Sequence, residues 1–147
     1  MEYLSKLPER LKYLMTDNSV HATDELSAKV HISGSTIRSW LRGETIPSME
    51  STIALANFFE CNLDYLVGRR DLEETVLPHP IPPFYPRLRK IMESQNISRY
   101  QITTKTNIQD SFFTNWARGS VPKLTSLCAI ADYMHISLDY LVGRRDF

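Results

Sequence analysis

Apolar residues recur along the chain at the three- and four-residue spacing of amphipathic helices. The first such stripe, formed by Leu7, Leu11, Leu14 and Met15, predicts a helix over residues 8–17. The same spacing predicts four more helices, over residues 23–30, 35–41, 49–59 and 63–67. The segment 1–72 is therefore expected to form five short helices around one small core.

Polar residues and glycines stand where these helices should begin and end. Ser, Thr and Asn are favoured N-caps because their side chains accept a hydrogen bond from the first turn, and glycine favours the helix end. The predicted N-caps are Thr23, Ser33, Ser48 and Asn62, and the predicted terminators are Gly43 and Gly68. The tight break between residues 30 and 35 is typical of a helix-turn-helix.

The same pattern occurs a second time. Residues 63–71 return unchanged as residues 138–146, and Trp40 and Gly43 have counterparts in Trp116 and Gly119. Predicted helices again cover residues 85–95, 99–102, 110–118, 124–131 and 138–142, with a Ser98–Gln101 capping box. The turn before the third of them contains Asn107, a residue that tolerates the left-handed conformation. The fold class is therefore expected to be all-α, with two tandem five-helix domains at 1–72 and 84–147.

Prolines crowd the junction between the two copies. Residues 73–83 contain Pro78, Pro80, Pro82 and Pro83. Because Pro-rich segments favour the extended polyproline conformation, this stretch is predicted to be a semi-rigid linker.

Charge is distributed unevenly although the net charge is zero. Residues 1–75 hold eight Lys and Arg against twelve Asp and Glu, a net charge of −4, whereas residues 76–147 hold nine against five, a net charge of +4. Any basic surface for a polyanion is therefore expected mainly in the second copy.

Several classes of function are disfavoured by composition. Cys61 and Cys128 lie in apolar stretches, and no His or Cys has metal-ligand spacing, so buried thiols and no metal are expected. No carboxylate pair, nucleophile with a base, or glycine-rich phosphate loop appears, so neither an enzyme nor a cofactor or small-molecule site is expected. Without an apolar membrane span or signal peptide, the chain is predicted to be cytoplasmic.

The run Ile32–Gly43, then Pro47, then a helix ending in Asn-Leu-Asp-Tyr-Leu-Val-Gly68, resembles the Cro and lambda-repressor-like helix-turn-helix family, also called Xre. The resemblance extends over both copies. It implies a bacterial or phage transcription regulator, most simply a repressor, whose partner is a double-stranded DNA operator. A second copy of the chain is a further candidate partner.

In such a domain the third helix enters the major groove and its exposed side chains face base edges. The candidates for base readout are Ser35, Thr36, Arg38 and Ser39 in the first copy, and Ser111, Phe112, Thr114 and Asn115 in the second. Arg38 suits guanine, Asn115 suits adenine and Phe112 suits a thymine methyl group. The plainer interpretation is that these side chains are only solvated. Asp110 is unfavourable beside DNA unless it accepts a hydrogen bond from cytosine N4 or caps its own helix.

Phosphates are expected at the start of the second helix and in the loop after the third. The candidates are Thr23, Arg42 and Thr45 in the first copy, and Arg99, Lys105, Arg118, Ser120 and Lys123 in the second. An alternative remains that the first copy binds DNA while the second dimerises or binds a protein partner. The arginines after Gly68 and Gly143 are interpreted as structural, favouring the negative end of the last helix.

Overall fold

The structure, a computed structural model, describes residues 1–147 and contains ten α-helices and no strand. It divides into two compact units, residues 1–78 and 79–147. In the first unit a 3-10 turn, Glu2–Lys6, precedes α1 (Leu7–Asp17), α2 (Thr23–Val30), α3 (Gly34–Leu41), α4 (Met49–Phe59) and α5 (Leu63–Val67). The second unit contains α6 (Phe84–Gln95), α7 (Arg99–Lys105), α8 (Asp110–Ala117), α9 (Leu124–Met134) and α10 (Leu138–Val142).

The two units use the same set of helix contacts. In the first, α1 packs on α3 and α5, α2 packs on α3 and α4, and α4 packs on α5. In the second, α6 packs on α8 and α10, α7 packs on α8 and α9, and α9 packs on α10. The apolar stripes predicted from the sequence supply both cores, which include the fully buried Leu11, Ile37, Leu88 and Phe113.

Several predicted caps are present. The Ser33 and Ser48 side chains accept from the amides of Thr36 and Ser51, at 3.3 and 3.1 Å. The predicted capping box is also formed: Gln101 N donates to Ser98 Oγ at 3.1 Å, and Ser98 N donates to Gln101 Oε1 at 2.7 Å. These bonds satisfy amides that the first helical turn leaves without partners.

One predicted N-cap is wrong, and another occupies its position without the expected hydrogen bond. Thr23 is the first residue of α2, and Ala22 occupies the N-cap position without a side-chain bond. Asn62 stands at the N-cap of α5, but its side chain is used elsewhere. It accepts from Glu74 N at 2.8 Å and donates to Leu72 O at 3.2 Å, which holds the following chain against the unit.

The left-handed conformation that Asn107 would tolerate is not used in the second turn. His31, which follows α2, has a φ of 58°, whereas Asn107 is not among the residues of positive φ. The second turn holds four residues instead of three, so it needs no left-handed reversal. Thr106 closes it, because its hydroxyl donates to Ile102 O at 2.7 Å and accepts from Ile108 N at 3.1 Å.

The segment predicted as a linker differs from the expectation at both ends. Val76 is buried and donates to Glu60 O at 3.1 Å, and Thr75 forms a bridge with Cys61, so these residues belong to the first unit. Pro82 lies so close to Gly143 that a Cβ there would stand 2.5 Å from its ring, which fixes Pro82 to the second unit.

The repeated nine residues form a closed turn in each unit. Arg69 pairs with Asp64, and Arg144 pairs with Asp139, and all four of these side chains are almost fully buried. The interpretation of these arginines as structural is compatible with this, but their partner is an aspartate of the helix and not the helix end. Gly68 and Gly143 have φ values of 90° and 92°, which glycine adopts without steric cost.

In each unit an arginine of the first helix donates hydrogen bonds to backbone carbonyls of this turn. Arg10 donates to Tyr65 O at 2.6 Å and to Arg70 O at 2.9 Å, and it lies over the Tyr65 ring. Arg87 donates in the same way to Tyr140 O at 2.7 Å and to Arg145 O at 3.1 Å. Neither arginine was predicted from the sequence, since nothing local marks a residue that binds a carbonyl more than 50 positions away.

Candidate functional site

The polar face of α3 is the first candidate surface. Ile37 and Trp40 are buried against the core, which leaves Ser35, Thr36 and Arg38 exposed and Ser39 half-buried. The hydroxyl of Thr36 lies 2.7 Å from that of the N-cap Ser33. The hydroxyl of Ser39 lies 2.8 Å from that of Thr45 in the following loop, so a base candidate and a phosphate candidate are neighbours.

Arg38 is held by an acid of the preceding helix. Its NH1 lies 3.6 Å from Asp24 Oδ1, and the two side chains are 48% and 88% exposed. This is an ion pair in contact with water and not a close hydrogen bond, so it is weak. Arg38 therefore keeps donors free for another acceptor, because a guanidinium carries five N–H groups.

Arg42, a phosphate candidate, is engaged within its own loop. Its Nε and NH2 donate to the two Glu44 carboxylate oxygens at 2.7 and 3.2 Å. These hydrogen bonds hold the pKa of the Glu44 carboxyl below its ordinary value and raise the pKa of Arg42. A phosphate would have to compete with Glu44 for this guanidinium.

In the second unit the start of α8 is tied to α7. Arg99 donates to Asp110 Oδ1 and to Asp110 O, both at 2.6 Å, and to Thr114 Oγ1 at 3.1 Å. Its guanidinium also lies 5.1 Å from the centre of the Phe113 ring. Asp110 thus forms an ion pair and does not cap its helix. Arg99, a phosphate candidate, is also hydrogen-bonded to Thr114, a base candidate.

The other candidates of the second unit are more open. Ser111 and Asn115 are exposed on α8, while Phe112 is half-buried with its ring centre 6.2 Å from that of Trp116. Lys105, Arg118, Ser120 and Lys123 are all exposed, and Thr23 at the start of α2 is half-buried. The position after Gly119 carries Ser120 where the first unit has Glu44, so Arg118 lacks the acidic neighbour that engages Arg42.

Two residues near these surfaces were not foreseen as part of a site. Neither Asp24 nor Gly34 was assigned a role in binding from the sequence. Their arrangement with Arg38 depends on the angle at which α2 meets α3. The one feature of the sequence that could have indicated this arrangement is the glycine at the first position of α3, because nothing in the backbone there requires glycine.

Comparison with known proteins bears on the first unit. Residues 23–66, which run from the start of α2 into α5, match a family model described as Helix-turn-helix. No curated protein and no solved structure matches the chain. The match supports the resemblance stated above for this segment and, in general terms, a regulator that binds double-stranded DNA. None of the helices has the length and apolar character needed to cross a membrane.

Proposed function

We propose that the chain is a sequence-specific transcriptional regulator, most simply a repressor, that reads the major groove of a DNA operator with α3. The observation that carries this proposal is the face of α3. It presents small hydroxyls and one arginine with spare donors on the second helix of a helix-turn-helix. Arg38 would contact guanine, with Ser35, Thr36 and Ser39 beside it.

Phosphates on either side would be held by Thr23, Arg42 and Thr45. Thr23 lies at the first turn of α2, where free amides and the helix dipole favour an anion. Arg42 would exchange its bond to Glu44 for a phosphate. Such contacts fix the orientation of a domain on DNA without reading its sequence.

The second unit, in this proposal, is a second copy of the domain joined through the Pro-rich segment. The matched order of helices, the shared packing pairs and the identical turn support it. Lys105, Arg118, Ser120 and Lys123 are exposed for phosphates, while Ser111, Thr114 and Asn115 would face bases. Two linked domains would act as a covalent pseudo-dimer, or as half of a larger homodimer.

A second candidate function is favoured by the start of α8. Arg99, Asp110 and Thr114 satisfy one another, and Phe112 keeps part of its ring exposed beside them. This surface is less suited to DNA than that of α3. The second unit would then dimerise or hold a protein partner while the first unit binds the operator.

Selection from a random duplex pool with the full chain tests both candidates. The variant Arg38→Ala should lower affinity for the selected site by about 5- to 150-fold, the value of a bidentate guanine contact. Arg89→Ala, an exposed arginine of α6, is the matched control and should leave the selected motif unchanged.

Asn115→Ala then separates the two candidates. If it relaxes a second half-site, both units read sequence. If Asn115→Ala leaves the selected motif unchanged, the second unit is a partner module, a domain that dimerises or binds a protein partner. A pool that yields no enriched motif with the full chain would rule out the proposed function.

A further inference from the structure

The ion pair between α2 and α3 occupies the place where base readout is proposed. Asp24 comes from the first turn of α2 and reaches the guanidinium of Arg38 on α3, at 3.6 Å. Both helices are fixed by the core, because Leu26, Ile37 and Trp40 are buried between them and the rest of the unit. The backbone positions of Asp24 and Arg38 are therefore fixed, which keeps the carboxylate within reach of the guanidinium.

Gly34 makes room for this pair. A Cβ at Gly34 would lie 2.9 Å from Asp24 Oδ1 and 3.2 Å from Arg38 NH1, closer than carbon normally approaches either atom. Gly34 has no positive φ, so its backbone would accept alanine, which is the better helix former. The missing side chain therefore leaves room for Asp24 and Arg38 to approach each other over this position.

In the second unit a different ion pair joins the second and third helices, with the cation on the second helix and the acid on the third. There Arg99 of α7 carries the positive charge, and Asp110 of α8 carries the negative one at 2.6 Å. Asp110 is the first residue of its helix, as Gly34 is of α3. The two pairs differ in which helix presents the cation, so only the first unit presents its arginine from the third helix.

We infer that Asp24 is a specificity-determining positioning residue of the first unit, which holds the Arg38 guanidinium in the orientation that contacts guanine. A free arginine side chain has many rotamers, and ordering it opposes binding. The ion pair limits those rotamers beforehand while it leaves most of the donors available. This inference rests on the proposed function of α3.

Asp24 has a second effect of opposite sign. Its carboxylate is 88% exposed at the start of α2, where DNA phosphates are proposed to lie. A negative charge there repels every duplex, whatever its sequence. Removing the charge should therefore strengthen binding to random DNA and weaken the preference for guanine, and a residue with a merely structural role would not produce this combination.

Three full-length variants test the inference. Asp24→Asn removes the charge with little change of shape. Gly34→Ala keeps the charge but places a methyl group between the two side chains, which can move because both of their contacting ends are flexible. Glu25→Gln is the matched control, since it removes a neighbouring charge of α2 that contacts the His21 amide and not Arg38.

The measurement is the dissociation constant for three duplexes at several salt concentrations. One is the selected site, one has the guanine read by Arg38 replaced by adenine, and one is random. For Asp24→Asn and Gly34→Ala we expect guanine preference to fall about 2- to 5-fold, the range that a solvent-exposed ion pair contributes. Only the two charge-removing variants should bind random DNA more tightly.

The outcomes are distinct. Loss of preference in both Asp24→Asn and Gly34→Ala, with preference intact in Glu25→Gln, supports the inference. Wild-type preference in both, in a protein whose preference is lost in Arg38→Ala, overturns it while the proposed function stands. No preference in the unsubstituted protein overturns the inference and the proposed function together.

Discussion

The two units share their packing and differ in the charges that join the second and third helices. In the first unit the acid lies on α2 and the arginine on α3, 3.6 Å apart, so the arginine remains open to a ligand. In the second the arginine lies on α7 and is bound three times, to Asp110 and Thr114. One packing scheme thus permits two different surfaces, because the helix faces that build the core are independent of those that face solvent.

The largest expected effect is a loss of stability when the buried Asp–Arg pair that both units contain is broken. Asp139→Ala would leave the Arg144 guanidinium, whose side chain is fully buried, without its aspartate. Removing one partner of a buried pair costs about 3–5 kcal/mol of unfolding free energy. Asp64→Ala should cost less, because Arg69 keeps 8% exposure.

Chemical denaturation of the full chain measures both losses. Asp146→Asn, an exposed acid next to the same turn, is the control and should change the unfolding free energy little. Equal costs for Asp139→Ala and Asp146→Asn would contradict a structural role for the buried pair.

The next effect separates the units. Asp110→Asn removes a negative charge from α8 and releases Arg99 from its strongest partner. If the second unit contacts DNA, affinity for the selected site should rise about 3- to 10-fold at low salt, and the salt dependence should steepen by about one phosphate contact. Filter binding or anisotropy across a salt series measures this.

Asp132→Asn offers a control for Asp110→Asn with the same change of charge, at an exposed residue of α9. An unchanged affinity in both variants would indicate that α8 does not face DNA. The second unit would then be better described as a partner module.

A smaller effect is expected in the loop after α3. Glu44→Gln weakens the bidentate pair that engages Arg42, so the guanidinium becomes available to a phosphate. We expect affinity to rise about 2- to 3-fold for specific and random duplexes alike, as a phosphate contact carries no sequence information. Glu9→Gln, an exposed acid of α1, should leave both affinities unchanged.

The smallest effect is a pH dependence of the first unit. Hydrogen bonds from Arg10 and then Lys6 hold the pKa of the Asp71 carboxyl below its ordinary value. A carboxyl with a lowered folded-state pKa stabilises the fold above the unfolded pKa of about 3.9, and this contribution is lost as pH falls through the folded value.

Thermal unfolding between pH 5 and the acid limit checks the direction. The unsubstituted chain should lose more stability on acidification than Asp71→Asn, because the variant has already lost the pair. Since Asp71 is exposed, the difference should be small. A larger loss in the variant would contradict the assigned cause.

Much of the helical layout could be predicted because its signals are local. The stripe Leu7, Leu11, Leu14 and Met15, the Ser98 capping box and the glycine ends each lie within a few residues of the feature that they specify. The family match over residues 23–66 agrees with the helix-turn-helix predicted there. Predictions failed where a local residue had two options, as at Asn62, whose side chain holds residues 72 and 74 instead of its own helix.

The candidate site was less predictable because it depends on pairs that are distant in sequence. From the sequence, Arg99 was assigned to a phosphate contact and Asp110 was considered unfavourable beside DNA, each without reference to the other. Only the packing of α7 on α8 brings the two side chains together. Asp24 and Arg38 are likewise 14 positions apart. An isolated sequence shows the periodicity of each helix but not the angle between two helices, and that angle decides which charges meet.

The bonds from Arg10 to Tyr65 and Arg70 have a consequence for synthesis on the ribosome. A chain grows from its N-terminus, so α1, α2 and α3 leave the exit tunnel before the carbonyls that Arg10 requires. The hydrogen bonds from Arg10 can therefore form only after the turn that follows α5 has also left the ribosome. The second unit is under the same constraint, because Arg87 depends on residues 140 and 145.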